Sequence, residues 1–496
     1  MKLFSKNVFF LVIILLCITL LNAQAPDTLW TRTYGGPDPF DEDVGYSVQQ
    51  TSDSGYIIAG YTESFDIDYG DVWLVKTNAN GDTLWTGNYG GDRRDEGRSV
   101  QQTYDKGYII AGWTLSSGAG HYDVFLVKTD SIGNRIWTKT YGWLDTDGGN
   151  SVIQTSDSGY VVAGRYNPYD FGNMDVYLIK TKENGDTLWT RRYGGLWSDE
   201  GNSVQQTTDT GYIIAGFTNS HTAGANIDVY LIKTDENGDT VWSKTYGGAQ
   251  SDRGYSVQQT FDNGYIIAGK TNSFGGGSCD IYLIKTDTIG DTIWTKAYGG
   301  ADEEEGWSVQ QTSDSGYVVA GYTQSYGAGY ADIYLIKTDV NGDTLWTKTF
   351  GGEWSDKGYA VQCTSDNGYA ITGYTYNFSG GFDVYLVKTQ PDQTGCDEKE
   401  FSQNIFTGLQ INPNPFSKKT DIRFQILNNS NHEIKIYDVS GRLVKHFSRF
   451  KPNALRSRHI SWEGTDNTSR KLPSGVYFVK FKVENYSETK KLLLIR

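Results

Sequence analysis

Histidine, cysteine, methionine and proline are all scarce in this chain of 496 residues, at 5, 4, 2 and 9 copies. Only His121 and His221 fall inside the long repetitive stretch described below, so a zinc hydrolase or a histidine-based triad is not expected. Cys17 lies in an N-terminal apolar run, which leaves Cys279, Cys363 and Cys396. An odd count at irregular spacing excludes a disulfide framework and leaves open whether any two of the three form a single bridge. Long apolar stretches are missing too. The one candidate, Phe9 to Leu21, has thirteen residues, too few to cross a bilayer comfortably. Lys2 and Lys6 precede it and Asn22-Ala23-Gln24-Ala25 follows it. Residues 1–25 therefore read as a secretory signal peptide, and no transmembrane segment is expected after its removal. Nor is there a basic excess: 59 Asp and Glu outweigh 44 Lys and Arg for a net charge of −15, which argues against nucleic acid as a partner.

What is plentiful is glycine (59) and tyrosine (35), a mixture suited to short strands joined by tight turns. Much of it is one unit of about 52 residues written seven times. The phrase DTLW and its variants end at Trp30, Trp85, Trp137, Trp189, Trp242, Trp294 and Trp346. SVQQTSDSGYIIAG and its variants begin at Ser47, Ser99, Ser151, Ser203, Ser256, Ser308 and Ala360. DVYLVKT and its variants begin at Asp71, Asp123, Asp175, Asp228, Asp280, Asp332 and Asp383.

Each unit reads as four strands: SVQQT, GYIIAG, DVYLVKT and TLWTKTYG. The first two are joined by a turn such as Asp53-Ser54-Gly55, in which the carboxylate bonds nearby amides and the glycine is expected to take positive φ. The last two are joined by Asn80-Gly81, Asn184-Gly185, Asn237-Gly238 and Asn341-Gly342, or by Gly133 and Gly290, a strong hairpin signal. No helical period persists between residues 26 and 389. Four antiparallel strands in a repeat of this length are the unit of a β-propeller. The array opens with a lone fourth-strand phrase, Thr28 to Gly35, and closes after a third-strand phrase ending at Thr389. The expected fold over 26–389 is thus all-β, a seven-bladed propeller with SVQQT innermost, TLWTKTYG outermost and the N-terminal strand completing the last blade. The repeated tryptophans are expected to pack between blades.

Several sets of residues are candidates for function. A carboxylate stands two residues before a glycine at Asp43, Asp95, Asp147, Asp199, Asp252, Glu304 and Asp356. Seven acids at one rim would make a negative ring with affinity for a cation such as Ca²⁺, although no specific calcium motif is present; the alternative is local capping of backbone amides. Lys76, Lys128, Lys180, Lys233, Lys285, Lys337 and Lys388 share one strand position and are expected to pass through an inter-blade layer to a salt bridge. The segments between the second and third strands, from Tyr61–Gly70 through Tyr374–Phe382, differ among the repeats and are rich in Ser, Gly, Tyr and Asn, a composition suited to recognition. Trp143, Trp197, Trp307 and Trp354, outside the repeated tryptophan position, are the candidate ligand platforms. The pairs Asp95-Glu96 and Asp199-Glu200 and the run Glu303-Glu304-Glu305 supply glycosidase-type acids, but none is set apart from its equivalents. No catalytic residue is assigned.

Residues 390–408 break the repeat and read as a linker. Beyond it several short strands suggest a small β-sandwich, and the charge changes sign: from Gln410 onward 17 Lys and Arg face 7 Asp and Glu, a net +10, leaving −25 on the rest of the chain. INPNPFSKKTDIRFQI (Ile411–Ile426), EIKIYDVSGRLVKHF (Glu433–Phe447), SWEGTDNTSRKLPSGVYFVKF (Ser461–Phe481) and KKLLLIR (Lys490–Arg496) resemble the C-terminal sorting domain of the type IX secretion system. They are also similar to the related immunoglobulin-like domain of the flagellar hook-capping protein. The resemblance covers residues 409–496. It implies an immunoglobulin-like sandwich that directs the chain across the outer membrane of a Gram-negative-type bacterium, with the secretion or surface-attachment machinery as partner. The repeats themselves resemble those of uncharacterised exported bacterial propellers, which transfers no activity. The leading expectation is a secreted or surface-displayed protein that binds a glycan, a protein or a matrix component. A hydrolase using the rim carboxylates and a passive envelope component are the alternatives.

Overall fold

The structure, a computed structural model, describes residues 24–36, 40–64, 69–167, 173–222, 226–376, 380–392, 410–412, 416–424, 432–439, 441–448, 458–468, 470–483 and 486–495. Most of the secretory-signal segment and most of the linker, with Cys17 and Cys396, lie outside these residues. The chain divides into two compact units, Met1–Gly395 and Cys396–Arg496.

The first unit is a ring of seven four-stranded antiparallel sheets. Blade 1 runs Asp43–Gln50, Tyr56–Thr62, Asp71–Thr77 and Thr83–Tyr89. Blades 2 to 6 repeat it from Asp95, Gly148, Asp199, Asp252 and Glu304. Blade 7 takes Asp356–Cys363, Tyr369–Tyr376 and Phe382–Thr389 from the C-terminal end of the array and Thr28–Tyr34 from its start. The order within each blade and the closure are those read from the repeat.

Hydrogen bonds lace each inner strand to the next. The Ser47 hydroxyl accepts the Val100 amide at 3.2 Å and Gln49 Oε1 accepts the Gln102 amide at 2.5 Å. Gln102 Oε1 in turn accepts the Ser52 amide at 2.8 Å. Across the seam between the last blade and the first, Gln50 accepts the Ser365 amide at 2.8 Å. The gaps between blades are filled by Val, Ile, Leu, Ala and Tyr from two neighbouring sheets, as in the cluster of Ile57, Leu74, Val100, Tyr108, Ile110 and Val127. At the outer edge the repeated tryptophans lean edge-on against a tyrosine of the following blade, Trp85 on Tyr108 at 5.7 Å. Most stay half-buried, while Trp346 is buried.

One turn differs from expectation. Between first and second strands the left-handed residue is the one before the glycine: Ser54, Lys106, Ser158, Thr210, Asn263, Ser315 and Asn367 have φ of 63 to 72°. The turn carboxylate does bond there, Asp53 Oδ1 accepting the Gly55 amide at 3.1 Å. The glycine is required by proximity, since a Cβ at Gly55 would overlap the Thr77 carbonyl. Between third and fourth strands the glycines Gly81 to Gly342 do take positive φ, 78 to 85°.

The second unit is a small immunoglobulin-like sandwich. A sheet of Gln410–Asn412, Thr420–Phe424 and Arg458–Trp462 faces one of Leu443–Ser448, His432–Asp438, Gly475–Val483 and Tyr486–Leu494. Its core joins Phe416, Ile422 and Trp462 to Ile434, Ile436, Val479 and Phe481. The motif residues are structural: Phe416 is buried, and Tyr477 donates to the Pro473 carbonyl at 2.8 Å.

Candidate functional site

The two ends of the ring differ in how much their sequence varies. One end carries the turns between first and second and between third and fourth strands, nearly the same in every blade. The other carries the loops between second and third strands and between one blade and the next, and these differ. First strands begin at this variable end, and just inside it each makes a β-bulge: the register shifts between Gly45 and Ser47, and at the six equivalent places. The extra residue of each bulge varies among tyrosine, arginine, asparagine and tryptophan: Tyr46, Arg98, Asn150, Asn202, Tyr255, Trp307 and Tyr359. Bulges commonly re-aim side chains beside functional sites.

These seven form a ring around the axis. Tyr255 and Trp307 stack with centroids 4.2 Å apart and planes within 4°. Trp307 meets Tyr359 edge-on at 5.2 Å, and Tyr359 meets Tyr46 at 5.3 Å. Arg98 lies over the Tyr46 ring at 4.1 Å. On the other side Asn150 donates to Asn202 Oδ1 at 3.3 Å and Asn202 donates to the Gly254 carbonyl at 2.8 Å. One half of the ring is thus aromatic and the other half is guanidinium and amide.

Above it stand Val44, Glu96, Gly148, Glu200, Arg253, Glu305 and Lys357, each paired across the sheet with Tyr61, Trp113, Arg165, Phe217, Lys270, Tyr322 or Tyr374 in turn. Glu96 binds Arg98 at 2.5 Å, Glu200 binds Arg165 at 3.5 Å and accepts from Asn150 at 2.8 Å, and Glu305 binds Lys270 at 2.5 Å. Burial alone would lower the Arg98 pKa, but Glu96, the phenols of Tyr46 and Tyr359 and the Glu200 carboxylate outweigh it and raise it. Tyr359 and Glu200 belong to blades 7 and 4, so Arg98 of blade 2 feels groups from several sides of the axis. Burial raises the phenols of Tyr46, Tyr255 and Tyr359 well above their ordinary range, so they act as neutral donors and stacking faces.

The candidate platforms fall in two places. Trp307 is part of the ring itself. Trp143 and Trp197 lie in the loops entering blades 3 and 4, each 55% exposed, and Trp354 lies in the loop entering blade 7. Trp354 is 39% exposed and stacks on Tyr330 with centroids 6.2 Å apart.

The seven rim carboxylates cap local groups, while Oδ1 of Asp43, Asp95, Asp199 and Asp252 is buried with no hydrogen-bond partner among the described residues. Asp95 is fully buried, and its Oδ2 accepts the Gly91 amide at 2.9 Å and the Ser116 hydroxyl at 2.6 Å. Asp43, Asp199 and Asp252 repeat this with Ser64, Ser220 and Ser273, while Asp147 takes the Trp143 amide at 2.7 Å and Asp356 the Gly352 amide at 2.8 Å. Glu304 reaches Thr323 at 2.7 Å. Each sits beside the third-strand acid of the preceding blade: a side chain at Gly90 would overlap both Asp71 and Asp95. Burial, and then the neighbouring carboxylate, pushes Asp71 and Asp228 up to about 6. Burial does the same to Asp147 against the bonds of the Trp143 and Asn167 amides, with Asp123 adding to the rise. Among the described residues no three His, Cys, Asp or Glu come together as a metal-holding group.

The seven lysines are buried and pair within their own blade: Lys76 with Asp53 at 3.0 Å, also donating to the Thr77 carbonyl at 2.7 Å. Cys279 and Cys363 are free thiols.

The sequence singled out Trp307 of the bulge ring and the neighbouring acids Glu96, Glu200 and Glu305, but the ring as a whole escaped it. A signal was present: in otherwise nearly constant repeats, the residue between the glycine and the SV of the first strand changes from blade to blade.

Over 323 residues the chain is 27% identical to the regulatory protein FlaEY of Caulobacter vibrioides, covering 59% of this chain and 32% of that protein; it thus spans about a third of the length of that curated relative. Solved structures similar to it include PorZ, a surface component of the type IX secretion system of Porphyromonas gingivalis. That likeness has a TM-score of 0.42 at 12% identity and covers 93% of this chain and 60% of PorZ. A fungal alcohol oxidase of the AA5 family is also similar, with a TM-score of 0.48 at 11% identity over 95% of this chain and 100% of the oxidase. No helix among the described residues is long and apolar enough to cross a membrane. Residues 410–495 match the secretion system C-terminal sorting domain family, and the protein is accordingly a secreted or cell-surface propeller exported through dedicated machinery by its C-terminal domain.

Proposed function

We propose that this protein is a binding protein whose variable propeller face recognises a glycan at the mouth of the axial channel. In this reading residues 1–25 are the export signal, 26–389 the binding ring, 390–408 a linker and 409–496 the sorting and anchoring domain. The observation that carries it is the bulge ring, in which a stacked tyrosine and tryptophan face an arginine and two asparagines. Flat faces of sugars pack on aromatic rings while hydroxyls bond to amide, guanidinium and carboxylate groups. Trp143, Trp197 and Trp354 extend the same face outward. The mouth carboxylates Glu96, Glu200 and Glu305 are each held by a cation, which supports reading them as acceptors for sugar hydroxyls.

A glycan array probed with the secreted full chain tests the reading. Binding to a defined set of glycans is expected, weakened on the order of tenfold by Trp307→Ala or Tyr255→Ala. A chain that captures no glycan, or whose capture is indifferent to both substitutions, overturns it.

A further inference from the structure

The mouth has a charge opposite to that of the ring around it. Residues preceding Gln410 carry a net −25, yet the 21 variable positions of the mouth hold five cations against three carboxylates. Arg98, Arg165 and Lys270 are paired with those three carboxylates. Arg253 and Lys357 have no carboxylate partner within 4.0 Å among the described residues. Each lies over an aromatic face instead, Arg253 4.4 Å from the Phe217 centroid and Lys357 3.9 Å from that of Tyr322.

The two cations stand on blades 5 and 7, on either side of blade 6, which carries Trp307. Tyr255, the partner stacked on Trp307, follows Arg253 by two residues in the same strand. Lys357 is half-buried. Burial lowers its pKa even though Glu305 and Glu303 act in the opposite direction, so the protein compensates its charge only in part. A cation drawn partly out of water without a counter-ion is destabilising until an anion arrives. A guanidinium fork suits the planar or tripod oxygens of a carboxylate or sulfate.

We infer that the ligand is an acidic polysaccharide, its sugar ring held beside the Tyr255–Trp307 stack and its anionic substituents received by Arg253 and Lys357. The inference rests on the glycan reading above and narrows it to sugars bearing carboxylate or sulfate.

The test is titration of the secreted full chain with polygalacturonate and with dextran sulfate, each against its neutral counterpart, methyl-esterified polygalacturonate and dextran. One anionic polymer is expected to bind at least roughly tenfold tighter than its counterpart, and which one binds distinguishes carboxylate from sulfate. Arg253→Gln and Lys357→Gln are expected to weaken that binding roughly tenfold each. Arg253→Lys and Lys357→Arg should retain most of it, and Lys139→Gln on the outer strand should change nothing. Unchanged unfolding midpoints establish that the variants fold. Equal binding of charged and neutral polymers, with both glutamine variants at wild-type strength, overturns the acidic-sugar inference and leaves the glycan reading standing. Binding weakened as much by Lys139→Gln marks unspecific attraction and overturns it too. Failure of all four polymers, with neutral glycans captured on the array, also overturns it; failure on the array as well removes the glycan reading.

Discussion

At the scale of single residues, the repeat separates positions that hold the ring from positions that serve its mouth. Seven buried lysines each carry an ammonium that bonds a backbone carbonyl and one aspartate, and the aspartates differ in exposure. Asp314 is 20% exposed and Asp209 63%. Burial alone would raise both aspartates. Bonds from threonine, lysine and a glycine amide outweigh it and hold them below the usual carboxylate range. Losing the partner of a buried ammonium costs more where water is less able to replace it. Asp314→Ala is therefore expected to destabilise the ring by about 2 kcal/mol and Asp209→Ala by about 1 kcal/mol; urea unfolding midpoints compare them. Gly112 belongs to the same class of structural position. A Cβ there would overlap the Glu96 carbonyl across the bulge, so Gly112→Ala is expected to cost about 2 kcal/mol or more, read in the same unfolding experiment. At Glu304 burial tends to raise the pKa, but bonds from Thr323, Gly300 and Ser325 outweigh it and lower the pKa. At Asp43 and Asp356 burial wins over the equivalent bonds and the pKa is raised.

At the scale of elements, neighbouring blades are fastened at both edges. Tyr89 donates to the Gly133 carbonyl at 2.6 Å, and Tyr34, Tyr141, Tyr193, Tyr246 and Tyr298 repeat the bond into the third-to-fourth turn of the next blade. The seventh position is Phe350, beside the blade whose fourth strand comes from the N-terminal end and which has no such turn. There Lys348 donates instead to the Pro26 carbonyl at 2.6 Å. Removing Thr28–Tyr34 is expected to expose the Phe382–Thr389 edge and make the ring aggregate as it unfolds, visible by light scattering during thermal unfolding. The inter-blade acid pairs give the ring a pH dependence of definite sign. Asp71, Asp147 and Asp228, at about 6 when folded, bind protons in the folded state before they do so unfolded, so stability rises as pH falls from 7 toward 5. The lysine-paired aspartates are shifted the other way, and below about pH 4 their protonation removes stability. Unfolding midpoints are expected to peak near about pH 5. The triple change Asp71→Asn, Asp147→Asn and Asp228→Asn should flatten the rise between pH 7 and 5; a midpoint that falls monotonically from pH 7 contradicts the pairing.

At the scale of the whole molecule, the blade order and ring closure were legible because a structural contact repeated seven times leaves seven copies in the chain. The lysine position, the Asn-Gly turns and the lone opening strand all carried enough information to place themselves. The left-handed Ser54 was not legible, because Gly55 beside it is the residue that ordinarily takes that conformation and here is needed for close approach instead. Apart from Trp307, the bulge ring was missed for a different reason. Tyr46, Arg98 and Asn150 occupy equivalent places around the axis but differ in chemistry, so in the sequence they look like tolerated change between constant phrases. Only the bulge register, and the contacts from Tyr255 through Trp307 and Tyr359 to Tyr46, reveal them as neighbours.

The central claim is that the variable face binds and the constant face does not. Glycan capture by the secreted chain carrying Tyr255→Ala and Trp307→Ala, compared with capture by one carrying Tyr104→Ala and Phe261→Ala in the exposed turns of the opposite face, tests it most directly. Loss of capture in the first and full capture in the second is the predicted result. Equal capture by both, or loss confined to the second, contradicts the account.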